Sequence, residues 1–231
     1  MEITPVARIF TDFPTKFGIP RQSGIAANKS TVVFEKPFRS EDAIRGIEGY
    51  SHLWLIWEFT EARRQSAHLT VRPPRLGGNT RVGVFATRSP FRPNSLGLSC
   101  VKLLEVRRGT PDGTVLIVEG ADILSGTPIY DIKPYLPFAD SHPDALGGFG
   151  ESIKSGIDEI RFDCSVPDAL NGDKLETLRR ILLEDPRPHY QNDGERVYAF
   201  EFAEWRISFT AQECTVTVTE ITASDSAPDK P

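Results

Sequence analysis

The chain is cut by proline and glycine into short β-prone runs, and in its first 141 residues no helical stretch separates one run from the next except one short one. Runs of this kind extend from Ile3 to Phe10, Ser30 to Phe34, Tyr50 to Phe59, Arg81 to Thr87, Leu96 to Arg107, Val115 to Asp122 and Ile129 to Ile132. Their β-branched and aromatic content suits a pleated, partly buried surface. The exception is a helix from Ser40 to Ile47, where Ser40 can cap and Glu41 and Asp42 suit the positive end. Parallel strands are joined by crossovers that usually contain a helix, and here many strands stand beside one short helix with no alternation of strand and helix. The pattern therefore predicts a mainly β unit built from an antiparallel sheet or barrel. Tyr50 to Phe59 is apolar on both faces and reads as its buried central strand.

The character changes after residue 141. Residues 142–156 are rich in Gly, Ser and Asp and read as a linker. Residues 157–223 read as a small α+β domain: one amphipathic helix from Asp168 to Leu183, with Leu175, Leu178, Ile181 and Leu182 on one face, then strands from Arg196 to Phe202, Glu204 to Phe209 and Thr215 to Thr222. Residues 224–231 form a polar tail that should fray.

Several functional classes drop out. No apolar run reaches the ~18 residues of a membrane span, and MEITPVARIF, with no basic segment followed by an apolar run, does not read as a signal peptide. Cys100, Cys164 and Cys214 are odd in number and far apart, which fits a reducing cytoplasm rather than a disulfide framework. His52, His68, His142 and His189 are scattered with no metal-ligand spacing, so no metal is expected. There is no GxGxxG between a strand and a helix, no P-loop and no GxSxG nucleophile elbow. A nucleotide-like cofactor would need some other architecture.

The net charge is -5, but it is unevenly spread. From Ala62 to Arg108 the basic residues Arg63, Arg64, Arg72, Arg75, Arg81, Arg88, Arg92, Lys102, Arg107 and Arg108 face a single acid, Glu105. A chain polarised in this way can set a basic face against phosphates despite a negative total; a solvated arginine-rich surface is the other reading.

Four segments combine polar side chains with residues that stiffen the backbone. They are FGIPRQ (Phe17 to Gln22), RPPRLGG (Arg72 to Gly78), GVFATRSPFRPNSLGLS (Gly83 to Ser99) and SGTPIYDIKPY (Ser125 to Tyr135). Each alone could be a tight turn. Together they are what a rigid, loop-built ligand site needs.

These segments, with GYSHLW (Gly49 to Trp54), resemble the TrmO (TsaA-like) family of S-adenosylmethionine-dependent tRNA methyltransferases. The resemblance runs from Ile3 to Ser141 and, more loosely, on to DPRPHY (Asp185 to Tyr190). It implies a single-sheeted closed barrel, a cofactor site near a homodimer interface, and methylation of N6 of threonylcarbamoyl-adenosine at position 37 of tRNA. It places the cofactor against Pro20, Arg21, Gln22, Thr60, Glu61, Arg88, Leu98, Glu119, Gly120, Ala121 and Asp122. Arg21 or Arg88 could grip its carboxylate, and Gln22 with the backbone of residues 119–122 could read its adenine. Bacterial relatives often carry His-Gln where this chain has Thr60-Glu61; Ser95 and Ser125 replace a common proline and aspartate.

For the chemistry, Asp131 is the first candidate to accept the N6 proton, with Lys133 orienting the base or its acidic arm. Two apart on a strand, the two share a face and could equally be a structural ion pair. Arg72, Arg75, Arg92, Tyr135, Arg187 and Tyr190 are the candidates for touching RNA, with turn packing the competing reading for Arg187 and Tyr190. Trp54 and Trp57 read as core and His52 as a structural histidine. The alternatives to tRNA methylation are a non-catalytic cofactor- or RNA-binding adaptor and a methyltransferase acting on a small molecule.

Overall fold

The computed structural model describes residues 2–62, 69–73, 76, 79–150, 156–187 and 194–225. In chain order its first strands are β1 (Ala7–Phe10), β2 (Lys29–Phe34), β3 (His52–Glu58), β4 (Thr70–Val71), β5 (Val82–Gly83), β6 (Leu96–Thr110), β7 (Gly113–Glu119) and β8 (Thr127–Pro134). Six of them close a barrel in the order β1-β2-β7-β6-β3-β8, every pair antiparallel. Helix α1 (Glu41–Ile44) lies between β2 and β3. It is shorter than expected, but Ser40 caps it as anticipated, its hydroxyl accepting from Asp42 N–H at 3.2 Å. A second short helix, α2 (Pro137–Asp140), follows β8. No helix among the described residues is long and apolar enough to cross a membrane.

Strand alternation decides what fills the barrel. Leu53, Leu55 and Trp57 of β3 point inward and are buried, as do Ile9, Val32, Val101, Leu116 and Ile129 from its neighbours. The intervening Trp54 and Ile56 face out and are only half-buried, so β3 is central but not apolar-packed on both sides. Trp57 lies directly opposite Gly97 of β6, and a Cβ at that glycine would overlap the indole. The small residue is what lets the largest side chain enter a narrow barrel.

The stretch from Arg81 to Thr87 departs from expectation. Only Val82–Gly83 is strand; Val84 to Ala86 close a 3-10 turn, with Thr87 donating from both its N–H and its hydroxyl to the Val84 carbonyl. The turn buries Val84 and leaves Phe85 76% exposed, which a continued strand would not do.

The second unit is a four-stranded sheet, order β10 (Tyr198–Phe202), β11 (Trp205–Gln212), β12 (Thr215–Ala223), β9 (Glu159–Phe162). Helix α3 (Gly172–Leu183) packs on it through Thr177, Leu178, Ile181 and Leu182. The helix starts later than its pattern suggested, because the Asn171 amide donates back to the Asp168 carbonyl and closes a turn there. Strand β9, which pairs in parallel with β12, adds a fourth strand to the three expected.

The two units share a segment. The loop between β1 and β2 sends Phe13, Phe17, Ile19 and Ala26 into the core of the C-terminal sheet, where Phe13 meets Phe202 and Phe17 meets Phe200 edge-on. Asp12 accepts from Ala203 N–H at 2.7 Å.

Overpacking a filled core costs about 1–3 kcal/mol. Gly97→Ala is therefore expected to lower stability by about that amount, read as a lower urea midpoint at unchanged slope. An unaltered midpoint would show that the Trp57 indole is free to move aside.

Candidate functional site

The barrel interior is filled by side chains, so a ligand must bind among the loops at its side. A cavity of about 740 Å³ opens there, within the range of small-molecule sites. Three sequence-distant stretches build its charged wall. Pro20, Arg21 and Gln22 come from the β1–β2 loop, Arg88 and Arg92 from the turn before β6, and Asp122 from just after β7. Leu98 on β6 and Thr60 and Glu61 beyond β3 complete it, with Trp54, Trp57 and Phe91 supplying aromatic surface.

Hydrogen bonds tie these pieces to one another. Arg88 Nη1 donates to Gln22 Oε1, and the Gln22 amide donates to the Arg21 carbonyl. Arg21 Nη2 donates to the Asp185 carbonyl at 2.6 Å. Arg92 Nη1 donates to the Thr87 carbonyl at 3.1 Å, folding its own loop. Glu61 is ion-paired with Lys16 at 2.7 Å, which joins the turn after β3 to the β1–β2 loop.

Asp122 sits in the most particular environment. Ser99 Oγ donates to Asp122 Oδ1 at 2.5 Å and accepts from Trp57 Nε1 at 2.9 Å. Burial pushes the Asp122 carboxyl above the usual carboxylate range. The Ser99 hydroxyl, backbone N–H donors including that of Ser23, and the charge of Arg88 pull the other way without reversing the shift.

Glu119, Gly120 and Ala121, expected beside the cofactor, do not line the cavity. They form the ledge on which the β1–β2 loop rests. Gly24 N–H donates to the Gly120 carbonyl at 2.9 Å, Gly120 N–H to the Asn28 carbonyl at 3.0 Å, and the Asn28 amide to the Ala121 carbonyl at 2.9 Å. Glu119 meets Lys102 at 3.5 Å.

Asp131 and Lys133 also lie outside the cavity. They are ion-paired at 2.7 Å on the outer face of β8, half-exposed. Tyr135 packs against His52 and Trp54, with ring centroids 6.1 and 5.8 Å away. His52 shares a hydrogen bond with Ser51 Oγ. Arg72 follows β4 and is not part of the cavity wall. Arg187 is turned inward, its side chain only 10% exposed, in a pair with Asp185. Arg75 and Tyr190 lie outside the described residues.

The basic stretch is also less free than its composition implied. Arg107 pairs with Glu105, and Arg108 with both Glu41 and Glu48. Sequence reasoning missed Ser99 and Glu58. Both are buried polar residues on barrel strands, and Glu58 accepts from Tyr130 Oη at 2.6 Å. A hydroxyl at an inward position of an alternating strand was the available signal for Ser99.

Comparison with known proteins gives a consistent answer. Residues 8–141 match the family model for the tRNA-methyltransferase O N-terminal domain, and residues 160–224 match the TrmO C-terminal domain. The chain is 39% identical over 215 residues to the tRNA (adenine(37)-N6)-methyltransferase of Escherichia coli K12, covering 87% of this chain and 90% of that protein. It is 41% identical over 169 residues to the enzyme of the same name from Eikenella corrodens, covering 71% and 92%. A crystal structure of TrmO from Pseudomonas aeruginosa superimposes with a TM-score of 0.77 at 29% identity, covering 97% of each chain. With both domains matched and the closed barrel shared, the chain belongs to the TrmO family.

Proposed function

We propose that this protein transfers a methyl group from S-adenosylmethionine to N6 of adenosine 37 in tRNA, and that this adenosine carries a threonylcarbamoyl group. The observation that carries the reading is the convergence of Arg21, Gln22, Arg88, Leu98 and Asp122 on one cavity in a chain with both TrmO domains. Relatives named tRNA (adenine(37)-N6)-methyltransferase support the reaction, and others named S-adenosylmethionine-dependent methyltransferase support the methyl donor.

The side chains present fit that donor. Arg21 and Arg88 would hold its carboxylate through paired N–H donors. Gln22 and Asp122 would take its hydroxyl and amine groups, with Leu98 and Phe91 against its apolar surface. When bound, S-adenosylmethionine supplies a methyl group already activated by a positive sulfur. What the protein adds is chiefly orientation, which can be worth several orders of magnitude in rate.

The base would lie along the outer face of the barrel. Leu98, Ile56 and Asp131 stand opposite one another across β6, β3 and β8. Residues so aligned share a face, and two strand spacings put Asp131 about 10 Å from Leu98. From there Asp131 would take the N6 proton, and Lys133 would meet the acidic arm of the modified base. Arg72, Arg75 and Arg92 would hold phosphates. The exposed Phe85 (76%) and Leu98 (57%) on the cavity wall fit coverage by a second copy in a homodimer. The unpaired cysteines fit a cytoplasmic setting.

Arg88→Ala should abolish measurable S-adenosylmethionine binding in isothermal titration while leaving the circular dichroism spectrum intact; undiminished affinity would remove Arg88 from the site. A methyl-transfer assay on tRNA bearing the modified base should yield product; cofactor binding without product would make the chain an adaptor.

Asp122 gives a pH prediction. Its folded-state pKa is raised, so the folded chain holds this proton more tightly than the unfolded chain does. The resulting stability is full below the ordinary aspartate pKa of about 3.9 and is lost as pH rises through the elevated folded value. Asp122→Asn should therefore melt at a higher temperature than the native protein at pH 7, with the gap closing below about pH 4, while binding the cofactor more weakly. A gap of opposite sign would mean that the ionised carboxylate is stabilised where it lies.

Finally, tRNA affinity should fall steeply as salt rises, in line with phosphate contacts. A flat response would place the RNA elsewhere.

A further inference from the structure

The reason for the C-terminal unit can be read from what it touches. One feature outside the cavity reaches it directly: the hydrogen bond from Arg21 Nη2 to the Asp185 carbonyl, across 164 residues of sequence. Asp185 sits at φ 48°, in the left-handed region that few residues other than glycine enter and that Asp and Asn tolerate best.

Its carboxylate is held as firmly as its backbone is bent. Arg187 Nε donates to Oδ1 at 2.8 Å and Nη2 to Oδ2 at 3.0 Å, a two-pronged fork, and Arg187 N–H adds a third bond to Oδ1 at 3.2 Å. The remaining Arg187 arm, Nη1, donates to the Ala211 carbonyl of β11 at 3.0 Å. Both side chains are about nine-tenths buried, at 10% and 11% exposure. A buried pair is held rigidly only when its hydrogen bonds are satisfied and its geometry is good; both conditions hold here.

The same loop is fixed from its other end. Phe17 and Ile19 pack into the C-terminal core, and Gly18, at φ 96°, passes so close to Phe200 that a Cβ there would overlap the ring. The loop carrying Arg21 and Gln22 is thus anchored by the second unit as well as by the barrel it belongs to.

We propose that Asp185 and Arg187 are positioning residues, and that the C-terminal unit serves as a brace which holds the Arg21 guanidinium in the orientation that receives the cofactor. This rests on the reading of the cavity as the S-adenosylmethionine site and adds to it. A guanidinium on a long side chain loses rotamer freedom when it grips a ligand, and fixing it beforehand removes part of that cost from binding. A pre-organised Arg21 should therefore appear as affinity for the cofactor and not as the rate of a saturated enzyme.

The experiment is a double-mutant cycle on the full chain. S-adenosylmethionine binding is measured by isothermal titration, and methyl transfer to tRNA is measured at saturating cofactor, for Arg21→Ala, Arg187→Ala, Arg187→Lys and the Arg21→Ala/Arg187→Ala double variant. Arg187→Ala should raise Kd roughly tenfold, equivalent to ~1.4 kcal/mol, with kcat within about twofold of the native value. Arg187→Lys should recover part of the affinity. The double variant should bind no more weakly than Arg21→Ala alone, because the brace acts only through Arg21. If Arg187→Ala does not fold, Asp185→Asn takes its place, since Asn tolerates the same backbone and keeps the carbonyl while losing the charge. Native-like affinity in a folded Arg187→Ala or Asp185→Asn protein, or losses that simply add in the double variant, would overturn the brace. Native affinity in Arg21→Ala would overturn the cofactor reading itself, and the brace with it.

Discussion

Six strands closing on themselves leave an interior so narrow that the side chains of Ile9, Leu53, Leu55, Trp57 and Leu116 fill it, and every functional property of the molecule follows from that lack of room. Trp57 enters only because Gly97 stands opposite. A closed barrel of this size cannot take a nucleotide inside. It can offer only its outer face and the loops that leave it, and the rigid Pro- and Gly-rich loops turn that restriction into a site.

The β1–β2 loop is where the restriction is resolved. It rests on the ledge at Glu119 to Ala121, reaches Arg88 through Gln22, and buries Phe13 and Phe17 in the neighbouring sheet. A loop held by one barrel edge alone would wander. Held between two cores, it can present Arg21 and Gln22 in fixed positions. The C-terminal unit, read from its composition alone, gives no sign of this role.

Charge is arranged on the same principle. The basic residues that follow β3 are not one free patch: Arg107 and Arg108 are neutralised by acids from β6 and from the α1 region, whereas Arg88 and Arg92 turn toward the cavity. Asp122 stands among them as a carboxylate that the fold keeps at some cost to its ionised form, held by Ser99, which is itself oriented by Trp57. Barrel core and site therefore meet at one indole ring.

Local chemistry was enough to determine the class of fold and the segments that matter. Period-two alternation and the absence of helical crossovers gave an antiparallel β unit, Ser40 gave the α1 cap, and two of the four stiff polar loops, Phe17 to Gln22 and Gly83 to Ser99, marked the cavity wall. These are properties of neighbours along the chain, and neighbours are visible in a string of residues. What only the tertiary structure decided depends on partners far apart. Strand β9 exists because β12 lies alongside it, and the Arg81 to Thr87 run bends because Val84 finds a place to bury. Glu119 to Ala121 support the wall instead of forming it, because the β1–β2 loop comes to rest on them. Arg187, which by residue type suits RNA, spends its guanidinium on Asp185 and Ala211. Whether a charged side chain faces a ligand or a buried partner is set by which distant backbone arrives beside it, and no local pattern encodes that.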